Sequence, residues 1–85
     1  MDKSFQISAP KAVTTGDYLA FTITDGEKQI PASISRTALA TLAQGKPLDD
    51  VVVFEANSER IRRAAFEMRR VNPTLDVIKL GSHNF

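Results

Sequence analysis

Residues 54–71 read FEANSERIRRAAFEMRRV, and this stretch decides the fold. Apolar residues recur within it at steps of three and four positions, which places them on one side of a helix of about 3.6 residues per turn. They are Ile61, Ala64, Ala65, Met68 and Val71, with Phe54 two turns earlier on the same stripe. The spacing therefore predicts a helix whose apolar stripe faces the core.

The opposite side of this predicted helix carries four arginines around one aromatic residue. These residues are Arg62, Arg63, Phe66, Arg69 and Arg70. The 100° step per residue places Phe66 roughly 160° from the centre of the apolar stripe. An aromatic ring among guanidinium groups can anchor a protein partner or stack on a nucleic-acid base. We therefore take these five residues as the candidate interaction surface, with a protein partner favoured over RNA or DNA.

Two simpler explanations of this surface are favoured over a binding role. Glu59 and Glu67 lie three or four positions from several of the arginines, so ion pairs within the helix would neutralise much of the charge. Phe66 would belong to the core if the N-terminal segment or the last strand covered it. In either case the arginines form a solvated or packed helix face.

Composition narrows the class of protein. A chain of 85 residues is one domain, without room for a large ligand cavity. Its formal charge of +1 supplies little general attraction for a polyanion. With no cysteine, disulfides and thiolate chemistry are excluded. The N-terminus has no signal-peptide pattern and no apolar run approaches the ~18 residues of a membrane span, so we expect a soluble cytoplasmic protein.

The stretch from Tyr18 to Ser35 alternates apolar with polar residues and predicts a β-hairpin. Its core-facing positions are Leu19, Phe21 and Ile23 on the first strand, with Ile30, Ala32 and Ile34 on the second. Asp25-Gly26 predicts a tight turn because both residues tolerate a positive φ. We expect an edge strand over Phe5 to Ile7 and a last strand within Leu75 to Leu80.

A short helix over Arg36 to Gln44 is predicted from its spacing, with Ser35 as its N-cap and Gly45 closing it. The following segment is ambiguous. Val51 to Val53 favour a strand by their branched side chains, whereas one continuous helix from Pro47 to Val71 is the alternative. Asn72-Pro73 ends that helix in either case, because the residue before proline avoids helical dihedrals.

The chain resembles a family of small bacterial domains of unknown function. The resemblance lies in IPASISRTAL at 30–39, in the short helix closed at Gly45, in FEANSERI at 54–61 and in the alanine-bearing helix before a terminal strand. Members often read V-x-C-x-I-S-x-x-A-L and F-x-x-x-R-x-x-I; here Ala32 replaces the cysteine and Ser58 the basic residue. In that family the second helix is long, which favours a helix through Val51 to Val53. The resemblance implies a fold and no activity.

No group of residues in the sequence predicts catalysis. His83 lies in a terminal segment without fixed neighbours, which a general base or metal ligand requires. Asp49 and Asp50 are explained by a helix start, and Ser35 by a cap. The isolated glycines match no phosphate-binding motif. We therefore expect no enzyme, no cofactor and no metal site.

These observations predict one α+β domain over residues 1–85, frayed at 1–4 and 81–85. A small antiparallel sheet of three to four strands would pack against one short and one long helix. The sequence does not tell what the protein does. We expect a non-enzymatic interaction or accessory module of the bacterial cytoplasm, monomeric or homodimeric, with an unknown protein partner and no membrane. The alternative is a nucleic-acid-binding module that uses the same arginine-rich face.

Overall fold

A computed structural model describes residues 4–12 and 16–85 and shows the predicted α+β class. Its elements, in chain order, are β1 (Phe5–Ile7), β2 (Lys11–Ala12), β3 (Tyr18–Asp25), β4 (Lys28–Ser35), α1 (Arg36–Ala43), α2 (Asp50–Ala56), α3 (Ser58–Val71), β5 (Ile78–Leu80) and a 3-10 turn at Ser82–Asn84. Residues 1–3, part of the predicted frayed N-terminus, lie outside the described ranges.

The sheet is mixed, which corrects the prediction of an antiparallel one. Its strand order is β1-β3-β4-β5, and β2 also pairs with β3. All of these pairings are antiparallel except that of β4 with β5, where Ala32 to Ile34 run parallel to Ile78 to Leu80. The parallel pairing follows because α1, α2 and α3 return the chain to the end of the sheet where β4 began.

The predicted hairpin forms, with its turn one residue later than expected. Asp25 pairs with Lys28, so the loop consists of Gly26 and Glu27. Gly26 has φ +64°, and glycine at the first central position with a positive φ is typical of a type II′ turn. The predicted core positions on both strands are buried. Pairing with β5 begins at Ala32, directly after Pro31, which has no N–H to donate.

Helix α1 begins as predicted and ends one residue early. The Ser35 hydroxyl accepts a hydrogen bond from the Ala38 N–H at 3.1 Å, which confirms the cap. Gln44 and Gly45 both have positive φ, so the chain leaves the helix through a left-handed turn.

Val51 to Val53 are helical, as the family resemblance implied, yet the long helix is divided. Helix α2 begins at Asp50 rather than Pro47, because the Asp49 carboxylate caps it by accepting from the Val51 N–H at 3.2 Å. Asn57 divides α2 from α3: its φ of −115° departs from helical geometry, and its side-chain amide donates to the Val53 carbonyl at 2.9 Å. The predicted end at Val71 is confirmed.

One apolar core joins the helices to a single face of the sheet. Its members on β1, β3, β4 and β5 are Phe5, Leu19, Phe21, Ile23, Ile30, Ala32, Ile34, Ile78 and Leu80, and on the helices Ala38, Leu39, Leu42, Val53, Phe54, Ile61 and Ala65. The tail at 81–85, which was expected to fray, contains the 3-10 turn at Ser82–Asn84. The Gly81 N–H donates to the Asn84 side chain at 2.8 Å, and Phe85 packs against the core.

Candidate functional site

Helix α3 is rotated relative to the sequence prediction. Ile61 and Ala65 are fully buried as predicted, but Ala64 and Met68 are only partly covered and Val71 is 82% exposed. The centre of the buried face lies near Ala65, roughly 60° around the helix from the predicted centre by the 100° step per residue. This rotation brings part of the arginine side against the sheet and leaves part of the apolar stripe open.

Arg62 is held against the edge of the sheet. Its Nε donates to the Phe5 carbonyl at 2.8 Å, and its Nη1 donates to both carboxylate oxygens of Glu59 at 3.0 and 2.9 Å. Only 19% of its side chain is exposed. Arg62 therefore connects α3 to β1, and its charge is balanced within the helix.

Phe66 packs against the N-terminal strand, as one of the two simpler explanations proposed. Its ring meets the buried Phe5 ring edge to face, with centroids 5.2 Å apart and planes at 86°. This is a favourable arrangement for two aromatic rings. Phe66 is consequently half-buried, and its ring is part of the α3–β1 packing.

Arg69 joins three segments of the fold. Its Nε lies 3.2 Å from an Asp25 carboxylate oxygen at the hairpin turn. Its Nη1 donates to the carbonyls of Pro73 and Leu75 in the segment after α3. With 14% of its side chain exposed, Arg69 holds that segment and the hairpin turn to the helix.

The remaining arginines of α3 are open. Arg60, Arg63 and Arg70 are exposed, and none forms an ion pair within residues 4–12 and 16–85. Of the predicted intrahelical pairs, the one between Glu59 and Arg62 forms, whereas Glu67 forms none with a described residue. The five predicted surface residues are therefore not brought together: Arg62, Phe66 and Arg69 pack, while Arg63 and Arg70 face solvent.

An apolar groove lies along the open side of α3. Its volume is about 700 Å³, and its walls are α3 on one side and the C-terminal segment on the other. It is lined by Arg60, Arg63, Ala64, Glu67, Met68, Val71, Asn72, Leu75, Asn84 and Phe85. We call this the α3 groove; its floor is formed by partly covered Met68, Leu75 and Phe85 next to exposed Val71.

The face of the sheet opposite the core holds a smaller hollow of about 500 Å³. Its large apolar residues are exposed Tyr18 and Val77 and buried Leu80, and Asp17 and Lys79 supply one charge of each sign. Between these side chains its lining is mainly of small residues from β3 and β4.

The polar side chains that sequence analysis considered for chemistry have structural partners or lie exposed. Ser35 and Asp49 cap helices, and Asp50 lies 3.5 Å from the Arg36 guanidinium. His83 is exposed in the terminal 3-10 turn. Among the described residues, no three His, Cys, Asp or Glu side chains form a group able to hold a metal ion. No helix in this part of the chain is long and apolar enough to cross a membrane.

Comparison with known proteins gives a match in fold. No family model and no curated protein matches the sequence. Among solved structures, the chain is similar to a protein of unknown function from the DUF1488 family of Shewanella loihica PV-4. The TM-score is 0.75, the identity 17%, and the match covers 94% of each chain. This neighbour is a small bacterial domain of unknown function, in accord with the resemblance of the sequence, and it shows a shared fold.

The wall of the α3 groove formed by the C-terminal segment was not predicted from the sequence. Leu75 was assigned to a strand, and Phe85 to a frayed tail. Val71 could have indicated the groove from the sequence alone. It lies at the margin of the apolar stripe, directly before Asn72-Pro73, which ends the helix. An apolar residue at that position can extend beyond the core and meet the segment that follows the helix.

Proposed function

We propose that this protein is a non-enzymatic interaction module that binds a protein partner in the α3 groove. The observation that carries the proposal is that Val71, on the apolar rim of the α3 groove, is 82% exposed. Contiguous exposed apolar surface rimmed by polar groups is typical of sites where proteins bind one another. Burying Val71, Met68, Leu75 and Phe85 against a partner would remove that surface from water.

The α3 groove includes part of the interaction surface that was predicted from the sequence. Arg63 lines it, and Arg70 lies beyond its lining, one turn of the helix after Glu67. Arg62, Phe66 and Arg69 lie on the packed side of α3 and hold this helix to β1 and to the hairpin turn. The predicted interaction residues thus divide into those that contact the partner and those that hold the binding helix in place.

A protein partner fits the groove better than a nucleic acid does. Protein surfaces that bind single-stranded nucleic acid without sequence preference combine cationic groups with exposed aromatic rings, on which the bases stack. Phe66, the ring proposed for that role, is engaged with Phe5. The aromatic ring that lines the groove, Phe85, is partly covered because it packs against the core. The absence of catalysis is part of the proposal, and it is supported by Ser35 and Asp49, whose side chains cap helices.

We place this module in the bacterial cytoplasm. Two observations support the location: the chain contains no cysteine, and the structural neighbour is bacterial. Fractionation of cells that express the native gene, followed by immunodetection, tests it. Detection in the soluble cytoplasmic fraction is expected, and recovery with the membrane or the periplasm would contradict it.

Affinity capture with matched variants tests the interaction. Wild type, Val71→Asp and Val52→Asp are used as bait in a lysate of the source bacterium. Val52 is the control because it is an exposed valine on α2, outside the groove. We expect a protein retained by wild type and Val52→Asp and lost from Val71→Asp.

The same capture separates the protein partner from a nucleic acid. Binding anchored on apolar contacts should persist as salt is raised, whereas binding to a polyanion should fall steeply. Retention of the same proteins by Val71→Asp, or capture of nucleic acid that disappears with salt, would contradict the proposal.

A further inference from the structure

The charged border of the α3 groove is asymmetric. Arg60, Arg63, Glu67 and Arg70 follow one another at steps of three, four and three positions, which aligns them along one side of the helix. Arg60, Arg63 and Glu67 line the groove, and Arg70 continues the row beyond the lining residues. The apolar side chains of Ala64, Met68 and Val71 lie beside this row and form part of the groove. A segment lying in the groove would therefore contact apolar groups along its floor and cationic groups along one edge.

The three arginines of this border have no carboxylate partner within the described ranges. The arginines on the packed side of α3 do have partners, since Arg62 pairs with Glu59 and Arg69 with Asp25. Among the residues that the structure describes, Glu67 is the one acidic residue that lines the groove. The border consequently carries an excess of positive charge beside apolar surface.

On the basis of the proposed function, we propose that the partner segment bound in the α3 groove is acidic and amphipathic. Its apolar side chains would lie on Met68, Val71, Leu75 and Phe85. Its carboxylates would pair with the arginine border, because a guanidinium group can hold a carboxylate through two parallel hydrogen bonds. The stretch of α3 from Ala64 to Val71 is about 10 Å long, which suits a short segment with two or three apolar anchors.

The charges disfavour a second copy of this chain as the occupant. In a twofold-symmetric dimer the same patch of both copies meets, which would bring the excess positive charge of both arginine borders into one interface. From its described residues, each copy supplies only Glu67 to the groove as a counter-charge. Like charges across an interface lower affinity, whereas an acidic segment from another protein supplies the missing carboxylates.

A random peptide library displayed on phage tests the chemistry of the occupant without knowledge of the natural partner. The immobilised full-length protein selects 16-residue peptides, a length of about four helical turns. We expect enrichment of sequences in which Asp or Glu lie next to Leu, Ile, Phe or Trp. An enriched peptide is then synthesised, and its binding is measured by fluorescence anisotropy against a set of variants.

Three variants give distinct expected results. Val71→Asp should abolish binding by placing a charge on the apolar rim of the groove. Arg63→Glu should weaken binding about tenfold, because a carboxylate of the peptide then faces a like charge. Lys46→Glu, the same change of charge on an exposed loop outside the groove, should leave binding within about twofold. A peptide in which Lys replaces Glu should regain affinity for the Arg63→Glu variant.

The outcomes distinguish this inference from the proposed function. Selected peptides that require Val71 but show no acidic preference would overturn the acidic partner and leave the groove as a binding site. Peptides that bind all variants equally, or failure to select any peptide, would overturn both. Sedimentation equilibrium showing a dimer that Val71→Asp dissociates would assign the groove to a second copy and contradict the inference.

Discussion

Helix α3 carries two pairs of adjacent arginines, and the members of each pair have opposite surroundings. Arg62 and Arg69 donate to backbone carbonyls and to carboxylates, and their side chains are largely covered. Arg63 and Arg70, each one residue later, are exposed and form no ion pair within the described part of the chain. A step of 100° around the helix separates a residue that holds the fold from one that is free to bind.

This difference shows that a charged residue type does not identify the solvent side of a helix. An arginine has a long apolar stem and five N–H donors, so it can cover the margin of a core while its head group bonds to backbone carbonyls at a sheet edge. Arg62 does this at β1 and Arg69 does it after α3. Conversely, the apolar Val71 lies in solvent.

The largest effect on stability is expected at the aromatic contact of the packed side. Phe66→Ala removes a half-buried ring from Phe5 and should lower the free energy of unfolding by about 2 to 3 kcal/mol. Urea unfolding followed by circular dichroism measures the change. Phe66→Leu, which keeps most of the apolar contact, should cost less, and an unchanged midpoint for the alanine variant would show that the ring does not support the fold.

A smaller effect is expected when the hydrogen bond of Arg62 to β1 is removed. Arg62→Met keeps an unbranched side chain but deletes the donors to the Phe5 carbonyl and to Glu59, and it should cost about 1 to 2 kcal/mol. Because β1 is attached at this point, amide hydrogen exchange in Phe5–Ile7 should accelerate more than in β4. Equal exchange in wild type and variant would contradict the role of Arg62 in holding β1.

The smallest effects are expected on the groove side of α3. Met68→Ala should cost about 1 kcal/mol, below the range for a fully buried methionine, because the side chain is only partly covered. Val71→Ser should change stability by less than about 0.5 kcal/mol. Thermal unfolding of both variants tests this order; a loss of several kcal/mol at Val71 would show that the groove is part of the core.

Local patterns in the sequence predicted most of the fold. The alternation of apolar and polar residues predicted the hairpin and its buried positions. The types of single residues predicted the Ser35 cap and the end of α3 at Val71. These features depend on neighbours within a few residues. The direction of β5 depends instead on the path of three helices across the sheet, which no short stretch specifies.

The candidate site was less predictable for the same reason. The α3 groove exists because α3 is rotated toward β1 and because Phe85 folds back onto the core. Both depend on contacts between distant segments, such as Arg62 with Phe5 and Arg69 with Asp25. A helical wheel shows only the angles between residues of one helix and none of these contacts. The packed arginines were therefore assigned to the interaction surface.

The division of α3 into a packed side and an open side is tested most directly by urea unfolding of Arg69→Met and Arg70→Met, compared with wild type. We predict that Arg69→Met lowers the free energy of unfolding by about 2 kcal/mol, because Asp25 and the carbonyl of Leu75 lose their donor. Arg70→Met should change it by less than about 0.5 kcal/mol. Equal losses for the two variants, or a larger loss for Arg70→Met, would contradict the division.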